Sequence, residues 1–253
     1  MLSKAIVRIP CKNFTNGLTT ANLGLPDYDL ALIQHKEYVE ALRKCGLKVV
    51  VLDADEDYPD STFVEDTALL TKHCAIITNL RASSRKGETI EMKTVLTEYF
   101  SNIETINDPG TVEAGDIMMV GDHYYIGLSQ RTNINGAEQL IKILKIYGMT
   151  GSVVTLDKVL HLKSGVAYLE NNNIAAAGEF LLKPEFRKFN IFKIDDDESY
   201  AANCIWINDN ILLPKGFPKA RKTIEKAYYD IIEVNVSEFQ KLDGGLSCLS
   251  LRF

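Results

Sequence analysis

The residues best suited to chemistry lie near the C-terminus, in Leu242-Asp-Gly-Gly-Leu-Ser-Cys-Leu-Ser-Leu-Arg-Phe253. A thiolate is a strong nucleophile at neutral pH, and glycines such as Gly244 and Gly245 beside it let a substrate approach the backbone closely. Cys248 is therefore the candidate nucleophile, expected to open a terminal strand. The alternative role for such a cysteine is a small buried hydrophobe in an apolar strand. The other four cysteines, Cys11, Cys45, Cys74 and Cys204, are scattered without CxxC spacing, so neither a disulfide framework nor a zinc site is indicated.

Acidic and imidazole groups recur at equivalent places along the chain. Phe63-Val-Glu-Asp-Thr-Ala-Leu-Leu70, Val112-Glu-Ala-Gly-Asp-Ile-Met-Met119, Leu162-Lys-Ser-Gly-Val-Ala-Tyr168, Ala201-Ala-Asn-Cys-Ile-Trp-Ile207 and Gly244-Gly-Leu-Ser-Cys-Leu-Ser-Leu251 each run from polar or small residues into an apolar strand. These junctions carry Glu65, Asp66, Glu113, Asp116, His161, Asn203 and Cys248. A thiol, an imidazole and carboxylates are the parts needed for covalent catalysis on an electrophilic carbon that bears positive charge. Singly, an acidic dipeptide reads as a solvated strand entry and a histidine as a structural one, so the argument rests on repetition in register. His35, His73 and His123 fit helix-face or turn roles.

The elements that must position these residues repeat as well. Five β-rich segments, Lys48–Asp53, Asn102–Asn107, Ser152–Asp157, Phe189–Asp195 and Asp230–Asn235, recur at the period of a repeat architecture. Helical sequence precedes each of them. The clearest helix is predicted after Asp29 as N-cap, with Leu30, Ile33, Val39 and Leu42 inward and Gly46 as its stop. Others are predicted from about Glu88 to Phe100, Asn135 to Gly148 and Pro218 to Tyr229; the one near Pro184 is little more than a turn. Hairpin turns follow at Thr71–His73, Gly121–His123, Glu170–Asn173 and Asn208–Asn210. The fifth hairpin lacks a second strand, which Ala5-Ile-Val-Arg-Ile9 can supply, closing a ring. The predicted fold is thus α/β, a five-bladed α/β propeller of pseudo-five-fold ββαβ units, in a single catalytic domain covering 1–253.

The composition is that of a globular protein, with 46% hydrophobic and 25% charged residues. No apolar run approaches the roughly 18 residues that span a bilayer, and the N-terminus has charges where a signal peptide would be apolar, so a cytoplasmic location and no membrane partner are expected. A net charge of −6 without a stripe of Lys and Arg argues against nucleic acid and suits a cationic substrate.

Phe63-Val-Glu-Asp66, Thr111-Val-Glu-Ala-Gly-Asp116, His161-Leu-Lys-Ser-Gly165 and Leu242-Asp-Gly-Gly-Leu-Ser-Cys248, in this order across essentially the whole chain, resemble the dimethylarginine dimethylaminohydrolases of the guanidino-group-modifying (pentein) superfamily. That resemblance implies the five-bladed propeller and hydrolysis of Nω-methylated L-arginines, dimethylarginine and monomethylarginine, to L-citrulline and dimethylamine or methylamine through a covalent S-alkylthiouronium on Cys248. It implies His161 as general acid and base, and Glu113 as the carboxylate that holds the guanidinium and orients the imidazole. Asp66 also binds the guanidinium in that scheme. Leu18 through its backbone, Asp60 and Glu65 surround the rest of the substrate, while Arg85 and Arg131 grip its α-carboxylate. The segment from Phe14 to Pro26 resembles the family's lid. No metal or organic cofactor is implied. Vertebrate members carry two adjacent cysteines at the nucleophile, whereas Leu249 follows Cys248 here, so effects that need the second thiol do not transfer.

The rival readings are an arginine or agmatine deiminase of the same superfamily and a non-catalytic binding propeller. Dedicated arginine deiminases typically carry an additional helical domain, for which this length leaves no room. Agmatine lacks the carboxylate that would engage Arg85 and Arg131. A binding module has no need for a thiol, an imidazole and a carboxylate at three junctions. An apolar strand edge or helix face on the rim offers a route to a homodimer.

Overall fold

The computed structural model describes residues 1–253, the side chain of Ala227 excepted. The chain divides into two compact units, Met1–Val64 with Gly165–Phe253, and Glu65–Ser164. Each is built from the same three-stranded sheet, in which a short strand pairs antiparallel with a central strand and a third pairs parallel on the other side.

The unit Glu65–Ser164 holds two such sheets. In the first, Ala68–Leu70 pairs antiparallel with Ala75–Ile77, which pairs parallel with Ile103–Thr105; in the second, Ile117–Val120, His123–Leu128 and Thr150–Thr155 repeat the order. A parallel pair cannot be joined by a hairpin, and helices Glu88–Leu96 and Ile134–Ile146 make the crossovers. Leu140 and Leu144 are fully buried in the core with Ile76, Tyr124 and Ile126. Ile143 is only partly covered.

The discontinuous unit holds three sheets. Two are Val166–Tyr168 with Asn173–Ala176 and Asn190–Lys193, and Ile205–Ile207 with Asn210–Pro214 and Asp230–Val234. The third joins the ends of the chain. Ala5 and Ile6 pair antiparallel with Arg252 and Leu251, and Lys4–Arg8 pairs parallel with Lys48–Leu52. The N-terminal strand thus supplies the missing hairpin partner, as the repeat pattern requires. Central strands such as Ala5-Ile-Val7 and Ile211-Leu-Leu213 are buried and apolar, because they are flanked by strands on both edges and covered on both faces. The outer strands consist mostly of exposed and half-buried positions and carry Lys48, Lys193 or Glu233, which suits an open edge.

Several local expectations shift. The first helix runs Tyr28–Lys44 and is capped by Asp27, whose side chain accepts from the Leu30 N–H at 2.9 Å, so Asp29 lies in the first turn. Its buried face is Ala31, Gln34, His35, Tyr38, Val39, Ala41 and Leu42, whereas Leu30 and Ile33 are exposed. Gly46 stops it in the left-handed region at φ 86°. The crossover near Pro184 consists of two single 3-10 turns, Gly178–Leu181 and Pro184–Phe186. Each polar-to-apolar junction contains a 3-10 turn that leads into its strand, a feature that hydrophobic periodicity alone does not report.

Candidate active site

In the discontinuous unit, Cys248 sits in the 3-10 turn Ser247–Leu249, and the terminal strand begins only at Leu251. The residue therefore does not open the strand, as its apolar neighbours suggest, but precedes it. A turn frees the side chain from sheet packing: Cys248 is partly exposed, while Cys11, Cys45, Cys74 and Cys204 are all buried. Burial pushes the thiols of those four upward, Cys45 to about 11 and Cys204 to about 12.

The turn is held from beneath. Asn203 Oδ1 accepts from the Ser247 N–H at 2.9 Å and its Nδ2 donates to Ser247 Oγ at 3.0 Å. Buried Tyr38 donates its hydroxyl proton to the carbonyl of Leu246 or to Ser250 Oγ, at 2.9 and 2.6 Å. Gly245 is required by close approach: a Cβ there would lie 2.5 Å from Asn203 Cγ. The Gly245 N–H points at the Cys248 sulfur at 3.4 Å. Asn203, gathered with the other junction residues by its place in the repeat, thus supports the turn that carries Cys248.

The same unit brings Leu18 and Asp60 together. Asp60 Oδ1 accepts from the Leu18 N–H at 2.9 Å. The loop that carries Leu18 starts with buried Phe14, which packs against Phe63 and Phe239, and is tied down by Thr19 Oγ1 donating to the Lys241 carbonyl at 2.8 Å. The Thr20 amide and hydroxyl both donate to Asp243, next to the glycine pair.

The unit Glu65–Ser164 gathers the acidic and imidazole groups. Glu113, fully buried, lies at the extended residue before the 3-10 turn Ala114–Asp116, and its Oε2 accepts from His161 Nε2 at 2.9 Å. Its other oxygen accepts from the Arg81 N–H and from Arg131 Nη1, each at 3.3 Å. Asp66 Oδ1 accepts from the Gly115 N–H at 3.0 Å and its Oδ2 from Arg85 Nη1 at 2.8 Å. One ligating atom from each of Asp66, Glu113 and His161 can be chosen so that all three lie within 4.8 Å of one another. Gly115 allows this, because a Cβ there would come within 2.9 Å of Asp66 Oδ1 and 3.0 Å of the His161 ring.

The electrostatics follow from this packing. Burial alone would raise the Asp66 carboxyl, yet the charges of His161 and Arg85 and the bonds from Arg85 and Gly115 hold it down to about 2. Burial alone would lower His161, but Asp66, Asp116 and Glu113 together raise it to about 9, so the imidazole is charged at neutral pH. Glu113 thus engages one ring nitrogen of His161, Nε2. The remaining histidines are structural: His35 is buried and pushed down to about 4, His123 bonds Thr150 and Ser152, and His73 stacks on Tyr147.

Three placements were not anticipated. Arg85 is 5% exposed and bound by two carboxylates, with Nε and Nη2 donating to Glu88 and Nη1 to Asp66. Glu65 is held by Lys163 Nζ at 2.6 Å. Asp116, fully buried, accepts from the Leu162 N–H and from Ser129 Oγ. Glu88 and Ser129 carried no motif of their own, and Lys163, though inside His161-Leu-Lys-Ser-Gly165, was given no role. The only sequence signal for Ser129 is a polar run, Ser129-Gln-Arg-Thr132, that directly follows a strand.

Residues 27–179 match the family model of eukaryotic N,N dimethylarginine dimethylhydrolase. The chain is 55% identical to the N(G),N(G)-dimethylarginine dimethylaminohydrolase of Pseudomonas aeruginosa, covering 100% of both proteins, and 33% identical to that of Streptomyces coelicolor over 98% of this chain and 96% of the other. The crystal structure of a Pseudomonas aeruginosa cysteine-to-serine mutant complexed with citrulline superposes with a TM-score of 0.99 at 53% identity, covering 100% of each chain. The N-terminal domain of a cyanobacterial arginine dihydrolase, at 16% identity and a TM-score of 0.84 over 98% of this chain and 96% of that one, shares the fold. The fold is accordingly the five-bladed α/β propeller of the penteins. With a 55% identical relative over its full length and a family model over residues 27–179, the chain belongs to the dimethylarginine dimethylaminohydrolase family.

Proposed function

We propose that the chain hydrolyses Nω-methylated L-arginines, dimethylarginine and monomethylarginine, to L-citrulline and dimethylamine or methylamine, as one catalytic domain in the cytoplasm. Family membership at 55% identity over the full length carries this reading. It is supported by a cysteine that, unlike the other four, is not buried, and by two carboxylates grouped with a charged imidazole.

Guanidinium carbon is a poor electrophile, since resonance spreads its charge over three nitrogens. Carboxylates change that by fixing its plane through charge-assisted hydrogen bonds, which is the role given to Asp66 and Glu113. Cys248 gives up its proton to solvent beside the cationic guanidinium and attacks as the thiolate, so that a C–S bond forms as the π bond of the guanidinium opens onto nitrogen. His161, an imidazolium at neutral pH, protonates the departing nitrogen, the C–N bond breaks and the amine leaves. The neutral imidazole then takes a proton from water as it adds to the S-alkylthiouronium carbon, and cleavage of the C–S bond frees citrulline and thiol.

Leu18, Asp60 and Glu65 receive the amino-acid end of the substrate, and Arg131 with Arg85 its α-carboxylate. Arg131 takes the larger share, because Arg85 is bound to Glu88 and Asp66. The segment 14–26 serves as the lid. Product analysis tests the whole: citrulline with dimethylamine is expected from dimethylarginine, whereas ammonia from arginine or agmatine at comparable kcat/KM would replace this reading with a deiminase. No turnover of any of the three, with no selective alkylation of Cys248, would favour a binding propeller.

A further inference from the structure

Asp116 has no assigned part in the chemistry, yet it is fully buried at the end of the turn that starts after Glu113. Its Oδ1 accepts from the Leu162 N–H at 3.0 Å, the amide directly after His161. Its Oδ2 accepts from Ser129 Oγ at 2.7 Å. Ser129 Oγ in turn accepts from the N–H groups of Arg131, at 2.9 Å, and Thr132, at 3.1 Å, so its two lone pairs are used and its one proton points to Asp116. Thr132 bonds Asp116 through its side chain and accepts from the Glu113 N–H at 3.1 Å.

We propose that Asp116 is the positioning residue that holds Glu113, Arg131 and His161 in one arrangement, acting through Thr132, Ser129 and the Leu162 amide. Only an ionised carboxylate suits the place. It meets the Ser129, Thr132 and Leu162 donors and has itself only acceptors, whereas an asparagine amide would turn a donor toward a group that already donates. Burial raises the Asp116 carboxyl above its ordinary value, while the His161 charge and the bonds from Ser129, Thr132 and Leu162 pull it the other way, in favour of the carboxylate. Three contacts to one carboxylate couple the groups: moving it releases the guanidinium-holding acid, the arginine and the imidazole together. The inference rests on the functional roles given above to Glu113, Arg131 and His161.

The test separates the arms. Ser129→Ala cuts the route to Arg131 and leaves the Thr132 side chain bonded to Asp116 and to the Glu113 N–H, so KM for dimethylarginine should rise about fivefold or more with a smaller fall in kcat, while inhibition by pentylguanidine, which has no carboxylate, should change less than KM. Thr132→Val cuts the route to Glu113 and should lower kcat about tenfold, with Thr132→Ser restoring it. Asp116→Asn should combine both losses and move the His161 ring resonances in NMR. A uniform fall in kcat that follows Tm across all variants, or His161 resonances identical to wild type in Thr132→Val and Asp116→Asn, overturns the proposal. If Asp116→Asn does not fold, the Ser129 and Thr132 variants decide. Should the wild-type protein turn over no methylarginine, the functional reading fails, and the His161 resonances still test Asp116.

Discussion

Glu113 Oε2 lies 2.9 Å from His161 Nε2, with the carboxylate fully buried and the His161 side chain 10% exposed. Such a pair keeps one ring nitrogen occupied and orients the other, and with Asp66 and Asp116 nearby it keeps the ring charged.

That charge sets a pH dependence. His161 is raised from its ordinary value near 6.5 to about 9, so its stabilising contribution is fully present below pH ~6.5 and is lost as pH rises through about 9. The loss is on the order of 3 kcal/mol. Urea unfolding from pH 6 to 10 should show stability falling across that window, and the His161 ring signal should titrate near 9. A midpoint near 6.5 would contradict the charge network.

Gly115→Ala should damage this cluster without replacing any side chain in it. The added methyl would lie 2.9 Å from Asp66 Oδ1 and 3.0 Å from the His161 ring, and both are held by other bonds. A loss of about 1–3 kcal/mol is expected from overpacking. Turnover should fall by about 100-fold, as expected for reacting groups displaced by an ångström. Wild-type kcat in this variant would show that the cluster is not the working site.

Alkylation should separate the cysteines. Cys248 is partly exposed and the other four are buried, so brief treatment of the folded protein with a haloacetamidine should label Cys248 first, read by peptide mass spectrometry. Cys248→Ser should abolish citrulline formation and leave the melting temperature within a few degrees. Equal labelling of two or more cysteines would count against a special role for this thiol.

Asn203→Leu removes the support of the turn that carries Cys248. It leaves the buried Ser247 N–H without its acceptor, at a cost of about 1–3 kcal/mol, and should lower kcat more than it raises KM. Denaturant titration and steady-state kinetics on one preparation check both. Unchanged kcat at reduced stability would make Asn203 a purely structural residue.

Much of the architecture can be read without coordinates. Period and polarity mark the five outer strands and four of the turns, and the absence of a second strand after Leu251 points to the N-terminus as its partner, which the pairing of Ile6 with Leu251 realises. The helix that follows Asp27 shows where such reading slips. Asp27 and Asp29 are chemically equal caps, and which one has extended backbone depends on the approach of the chain from Pro26. Leu30 and Ile33 fit an apolar stripe but face solvent, because the packed face is set by what the helix rests on.

Cys248, His161, Glu113 and Asp66 could be singled out because each stands at a junction whose pattern of polar and apolar residues recurs, and such patterns are local in the chain. What holds Glu65 and Asp116, and one of the two carboxylates on Arg85, is not local. The pairs Arg85–Asp66, Lys163–Glu65 and Leu162–Asp116 join residues 19, 98 and 46 positions apart. Their strength depends on burial and on distances of a few tenths of an ångström, which no sequence spacing encodes. The order of residues thus determined the repeating unit and the chemical groups it carries, while only the packed structure decided which partner each charge would meet.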